Sequence, residues 1–177
     1  MRRAVFLDRD GVLNRIRVEG GRLYPPASAA ELQIAAGASR ALTSLKEAGF
    51  LLIVVTNQPD VARGLQTRAE VENIHAVLQR ALPLDDFFVC YHDDADACQC
   101  RKPRPGMLLA AAERYAVDLP HSYLVGDRWR DIDAGARAGC TTILIGDGYG
   151  EREPEHQPDA RVRSLAAAAR WILTRPR

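Results

Sequence analysis

The chain has 177 residues, enough for one domain with a proper core, and its 24 basic and 23 acidic residues leave a formal net charge of +1. That balance offers no electrostatic footprint for nucleic acid or a membrane surface. The longest apolar run, residues 50–55, is too short to cross a bilayer, and Met1-Arg2-Arg3 reaches Asp8 before a secretory core could form, so a cytoplasmic location is expected.

In chain order, Val5-Phe6-Leu7 reads as a buried strand that ends abruptly in Asp8-Arg9-Asp10-Gly11. In an open α/β sheet ligands lie beyond the carboxyl ends of the strands, so both acids would point into a site. Two carboxylates at that spacing attract a hard cation such as Mg2+. One of them could attack phosphorus while the other moves the proton. Taken alone, D-x-D-G also fits a simple chain-reversing turn.

Residues 15–30, with Gly20-Gly21 and Pro25-Pro26, read as a loop placed to cover the acidic tip. Residues 37–49 form an amphipathic helix with a glycine stop, and residues 50–55 a second buried strand ending in Thr56-Asn57-Gln58. A hydroxyl and an amide there suit a phosphoryl oxygen, or equally a helix cap. A second helix over 67–82 carries Thr67 as its cap, with Glu70 three residues on. Lone His75 and His121 are expected to be surface or satisfied core residues.

A third strand at 86–90 runs into Cys90, His92, Cys98 and Cys100, a complete Cys3His set of the kind that holds structural zinc. Three of the four cysteines in so short a segment argue for metal rather than a disulfide framework. Arg101 and Lys102 come next, beside prolines that fix the backbone, and suit a phosphoryl group. A third helix is expected over 105–117, and a fourth strand at 122–125 ends in Asp127, which would complete a metal site with Asp8 and Asp10. Asp131 stands four residues on, at the start of a helix over 131–138. A fifth strand at 141–145, preceded by a buried Cys140, a loop over 146–158 and a helix over 162–173 close the chain. Alternating strands and helices predict an α/β fold, a doubly wound, Rossmann-like parallel sheet in the order 3-2-1-4-5.

FLDRDGVLN, VVTNQ, RKPRPG and VGDRWRDID, in this order, resemble the four motifs of the haloacid dehalogenase (HAD) superfamily of phosphatases over positions 5 to about 145. The C-x-H and C-x-C pairs, with VARG after VVTNQ, narrow the resemblance to the histidinol-phosphatase and heptose-bisphosphatase branch. The resemblance implies an aspartyl-phosphate mechanism with Asp8 as nucleophile and Asp10 as acid/base. It gives Thr56 and Asn57 as phosphate holders, Lys102 as charge stabiliser and Arg101 as a substrate contact. Mg2+ would be held by Asp8, the backbone carbonyl of Asp10, and Asp127; Zn2+ by Cys90, His92, Cys98 and Cys100. It also implies one HAD-like domain over 1–177 without a separate cap, and a place in lipopolysaccharide or S-layer sugar precursor synthesis. Pro59-Asp60 stands where many relatives have Ser-Gly, and the His92-to-Cys98 spacing is shorter than in the enterobacterial type.

Arg101, with Arg63 near the crevice mouth, favours a second anionic group on the substrate. The expected substrate is therefore a compact bisphosphorylated sugar, heptose-1,7-bisphosphate cleaved at its 7-phosphate, acted on by a monomer. The alternatives are histidinol phosphate, whose cationic end these arginines would repel, or a catalytically silent, zinc-stabilised binding module.

Overall fold

The computed structural model describes residues 1–175. Its centre is β1 (Ala4–Leu7), buried on both faces, whose side chains alternate between two cores as strand geometry requires. Val5 and Leu7 enter one core and Ala4 and Phe6 the other. Beside β1 lies β4 (Leu51–Asn57), then β5 (Asp86–Cys90); on the other side lie β6 (Tyr123–Gly126) and β7 (Thr141–Ile145). All pair in parallel.

Helices cover both faces. The first core takes Leu42 and Leu45 of α1 (Ala38–Glu47), Ile74 and Leu78 of α2 (Arg68–Ala81), and Leu165, Ala168 and Ile172 of α5 (Leu165–Leu173). The second takes Met107, Leu108 and Ala111 of α3 (Gly106–Tyr115) and Ala134 of α4 (Trp129–Ala138). Thr67 caps α2 by accepting from the Glu70 backbone N–H at 3.1 Å, as the S/T-x-x-E pattern predicts.

The doubly wound class holds, and the sheet departs from expectation in detail. A sixth strand, β8 (Ala160–Val162), adds parallel to β7, giving the order β5-β4-β1-β6-β7-β8. The closing helix therefore starts at Leu165 rather than 162, because the Ser164 hydroxyl accepts from the Ala167 N–H and fixes the helix start there. Residues 15–30 are not a plain loop either. They contain an antiparallel hairpin, β2 (Arg17–Glu19) and β3 (Arg22–Tyr24), turned by Gly20 and Gly21 at positive φ. Two glycines at that point are themselves a hairpin signal, since a type I′ turn needs φ > 0 at both central residues. Among the described residues no helix is long and apolar enough to cross a membrane.

Candidate active site

The tips of β1, β4 and β6 converge beside the hairpin. Gly11 turns the chain after β1 at φ 84°, and any Cβ there would collide with the Asp127 carboxylate from β6. A Cβ at Gly126, the last residue of β6, would likewise collide with the Asp131 side chain. Asp8, Asp127 and Asp131 are all buried, and each offers a carboxylate oxygen within 4.8 Å of the others.

Their charges are unequally compensated. Lys102, itself buried, donates from Nζ to Asp8 Oδ1 at 2.9 Å, to Asp131 Oδ1 at 2.5 Å and to the Val55 carbonyl at 2.8 Å. Burial disfavours its charge, but Asp131 and Asp8 outweigh that and raise its pKa. Asp131 Oδ2 accepts from the Arg128 backbone N–H, so both of its oxygens already have donors. Burial, together with the Asp131 and Asp10 charges, pushes Asp8 up to about 6 against the pull of Lys102.

Asp127 differs. Its Oδ2 accepts from the Tyr149 hydroxyl at 2.7 Å, while its Oδ1 is buried with no partner. Burial and the charges of Asp8 and Asp131 raise Asp127 well above the ordinary carboxylate value. An orphaned oxygen inside three crowded acids fits a hard divalent cation, which takes oxygen ligands and relieves the repulsion.

Asp10 sits in a separate network. Its Oδ1 accepts from Arg9 Nε at 3.1 Å and Asn14 Nδ2 at 3.0 Å, and its Oδ2 from Arg9 Nη2 and Gln58 Nε2, each at 2.9 Å. Burial opposes ionisation, but the Arg9 charge and these hydrogen bonds win and lower its pKa. Arg9 is fully buried, donating also to Gln58 Oε1 and to His75 Nε2. Burial and that guanidinium drop His75 to about 3, so it stands neutral as an acceptor, stacked on Phe87. His75 is thus the satisfied core residue expected, whereas His121 lies exposed beside Asp118. Arg9, Asn14 and Gln58 carry no sequence signal of this role, because only the fold aims them all at Asp10.

Of the two neutral groups expected to hold phosphate, Thr56 is buried and its Oγ1 accepts from Gln58 Nε2. Asn57 lines the cleft, but both ends of its amide engage the Lys102 backbone. Its Oδ1 accepts from the Lys102 N–H at 3.0 Å and its Nδ2 donates to the Lys102 carbonyl at 3.1 Å.

The cleft above these groups is walled by Ile16, Leu23 and Pro25 from the hairpin segment and by four arginines, Arg63, Arg101, Arg128 and Arg130. Three already have carboxylates. Arg63 faces Asp60, Asp93 and Asp94; Arg101 forks onto Asp94; and Arg128 forks onto Glu151. Arg130 alone of the four has no hydrogen-bonded carboxylate among the described residues. Its guanidinium lies over the Trp129 ring, 4.7 Å from the centroid. Burial and the neighbouring Arg101 and Arg128 charges lower its pKa, with Asp94 opposing.

The segment from 90 to 100 gathers Cys90, His92, Cys98 and Cys100. Cys90 Sγ lies 3.6 Å from Cys98 Sγ, Cys98 Sγ 3.4 Å from Cys100 Sγ, and His92 Nδ1 3.3 Å from Cys100 Sγ. These sulfurs are too far apart for a disulfide. They lie near the roughly 3.7 Å edge of a tetrahedron whose metal–sulfur bonds are about 2.3 Å. The segment also ties down the turn that leads into α3: Arg104 donates to the Cys98 carbonyl, and the Gly106 N–H to the Gln99 carbonyl.

Residues 99–168 match the HAD-hydrolase-like family model. The chain is 37% identical to the D-glycero-D-manno-heptose-1,7-bisphosphate 7-phosphatase of Thermosynechococcus vestitus, over 98% of this chain and 96% of that protein. It is 38% identical to the D-glycero-beta-D-manno-heptose-1,7-bisphosphate 7-phosphatase of Bordetella bronchiseptica, over 84% of this chain and 83% of that protein. A crystal structure of the D,D-heptose 1,7-bisphosphate phosphatase from B. bronchiseptica, complexed with magnesium and phosphate, superposes with a TM-score of 0.81 at 36% identity. That match covers 97% of this chain and 98% of that one.

Proposed function

This chain belongs to the HAD-like family of heptose-1,7-bisphosphate 7-phosphatases, and from that premise we propose that it is a Mg2+-dependent phosphoric monoester hydrolase acting on heptose-1,7-bisphosphate at the 7-phosphate. The observation that carries the reading is Asp8, bound to Lys102 Nζ at 2.9 Å beside the unpartnered oxygen of Asp127. A nucleophile, a fixed positive charge and a cation ligand then converge at one strand-tip crevice.

Asp8 attacks phosphorus and forms an aspartyl phosphate. Lys102, with all three N–H bonds directed by Asp8, Asp131 and Val55, is preorganised against the charge that develops on the phosphoryl oxygens. Asp10 exchanges the proton with the leaving sugar oxygen and then with the water that hydrolyses the intermediate. In the resting site four donors occupy both of its oxygens and favour the ionised form. It must therefore turn out of these donors and take up a proton from solvent before it acts as the acid. Asp8 and Asp127, with the backbone carbonyl of Asp10, would hold Mg2+, which would supply charge neutralisation at the phosphoryl group. Asp131 aligns Lys102. Thr56 holds the phosphoryl oxygens, and Asn57 acts by holding Lys102 in place.

The cleft mouth would take the distal 1-phosphate, since among the described residues Arg130 is the lining arginine with no hydrogen-bonded carboxylate and Arg101 sits alongside. Cys90, His92, Cys98 and Cys100 would hold Zn2+, which would tie down the loop that carries Arg101 and Lys102. The chain works as a single domain, as a monomer, in the cytoplasm.

Phosphate release from heptose-1,7-bisphosphate and from histidinol phosphate tests the reading. The bisphosphate is expected to give the far larger kcat/KM. A preference for histidinol phosphate overturns the substrate, and no release from either overturns the reaction.

A further inference from the structure

The turn after β7 runs Gly148-Tyr149-Gly150 with all three residues at positive φ. The glycines take that backbone without difficulty, but Tyr149 holds φ 59° and ψ 25°, which a bulky side chain adopts only where its surroundings impose it. Core packing does not impose it, because Tyr149 keeps 38% exposure. What the tyrosine adds is its hydroxyl, which reaches between Gly11 and Asp127 and donates to Asp127 Oδ2 at 2.7 Å. The turn is fastened on both sides. Asp147 Oδ1 accepts from the Tyr149 N–H at 3.1 Å, and Glu151 takes the fork of Arg128, the residue next to Asp127.

We infer that Tyr149 is a positioning residue for the cation site: by engaging Oδ2 it fixes the rotation of the Asp127 carboxylate and leaves Oδ1 as the oxygen available to the metal. The inference rests on the reading that Asp127 holds Mg2+. Partners that orient a metal ligand commonly set its affinity as strongly as some ligands do. A glycine at 149 would make the turn with less strain, so the strained tyrosine is explained by its hydroxyl and not by the turn.

Tyr149→Phe removes only that hydroxyl. Calorimetric titration of Mg2+ into the protein without substrate is expected to show binding weakened by about tenfold. Phosphate release should need correspondingly more Mg2+ while turnover at saturating Mg2+ is largely kept. An unchanged Mg2+ affinity, with or without a lowered melting temperature, overturns the inference and makes the contact a loop fastening. Asp127→Asn is run alongside. If it abolishes Mg2+ binding while Tyr149→Phe leaves binding unaltered, the positioning role fails and the cation site stands. If Asp127→Asn binds Mg2+ like the parent, the cation site itself is misassigned and the inference falls with it.

Discussion

Two groups of convergent side chains have the composition of metal sites, and they are built in opposite ways. The thiol set comes from one stretch of chain, with Cys90 and Cys100 only ten positions apart, and its atoms stand at tetrahedral separations. The carboxylate set draws on residues 8, 127 and 131 and exists only because β1 and β6 are neighbours. The thiol set uses all four donors on one point and leaves no position for a substrate. The acid set leaves the buried Asp127 Oδ1 without a partner and opens onto a cleft. Closed sites stabilise folds, while open ones do chemistry. On that contrast, a metal in the thiol set would serve architecture and one in the acid set turnover.

The largest effect should come from the acid set. Asp8→Asn is expected to lower kcat by on the order of 10^4 or more, the scale on which removal of a nucleophile acts. Melting temperature and zinc content should hold, because relieving acid crowding is not destabilising in itself. Appreciable phosphate release from that variant would break the contrast at its chemical end.

Cys98→Ser attacks the other side. Elemental analysis should show zinc lost, and kcat/KM should fall by on the order of a hundredfold through misplacement of Arg101 and Lys102. Mg2+ affinity should remain near the parent value. If instead Mg2+ binding collapses with the zinc, the two sites are one cooperative unit and the distinction fails.

A finer probe sits between them, at the cleft mouth. Arg130→Ala should cost about tenfold in kcat/KM on the bisphosphate, the scale of one charge-assisted contact. A sugar phosphorylated only at the cleaved position should be nearly unaffected. Equal losses on both substrates would move Arg130 from distal recognition to the reacting phosphate. The smallest effect belongs to a substitution that touches neither set. Thr67→Ala, removing the cap of α2, should lower unfolding free energy by about 1 kcal/mol in a denaturant titration and leave both metals and turnover alone.

The thiol set was legible in the sequence because its spacing is local and needs no fold to interpret. The acid tips were legible one step further on, since each is a strand end and parallel strands place their ends together. What could not be read are residues whose roles depend on side-chain direction. Arg9 lies between the two motif acids, yet only the structure shows its guanidinium buried against Asp10, Gln58 and His75. Asn57 occupies a phosphate-holding motif position, but its amide is engaged with the Lys102 backbone. Tyr149 sits in a segment that reads only as loop. The strand β8 has three residues, too few to show any period.

The placement of the thiol set also bears on self-association. Cys90 is the last residue of β5, and β5 is a margin of the sheet whose interior carries Phe87-Phe88-Val89. The opposite margin, β8, is too short to template another chain, whereas β5 offers a five-residue strand of which four residues are apolar, with charge only at its start, where Asp86 pairs with Arg114. A metal bound at Cys90 would pin the far end of that strand. Removing it with a strong chelator should therefore make the protein cohesive as well as less active, and light scattering on the stripped protein should rise with concentration before the helices melt.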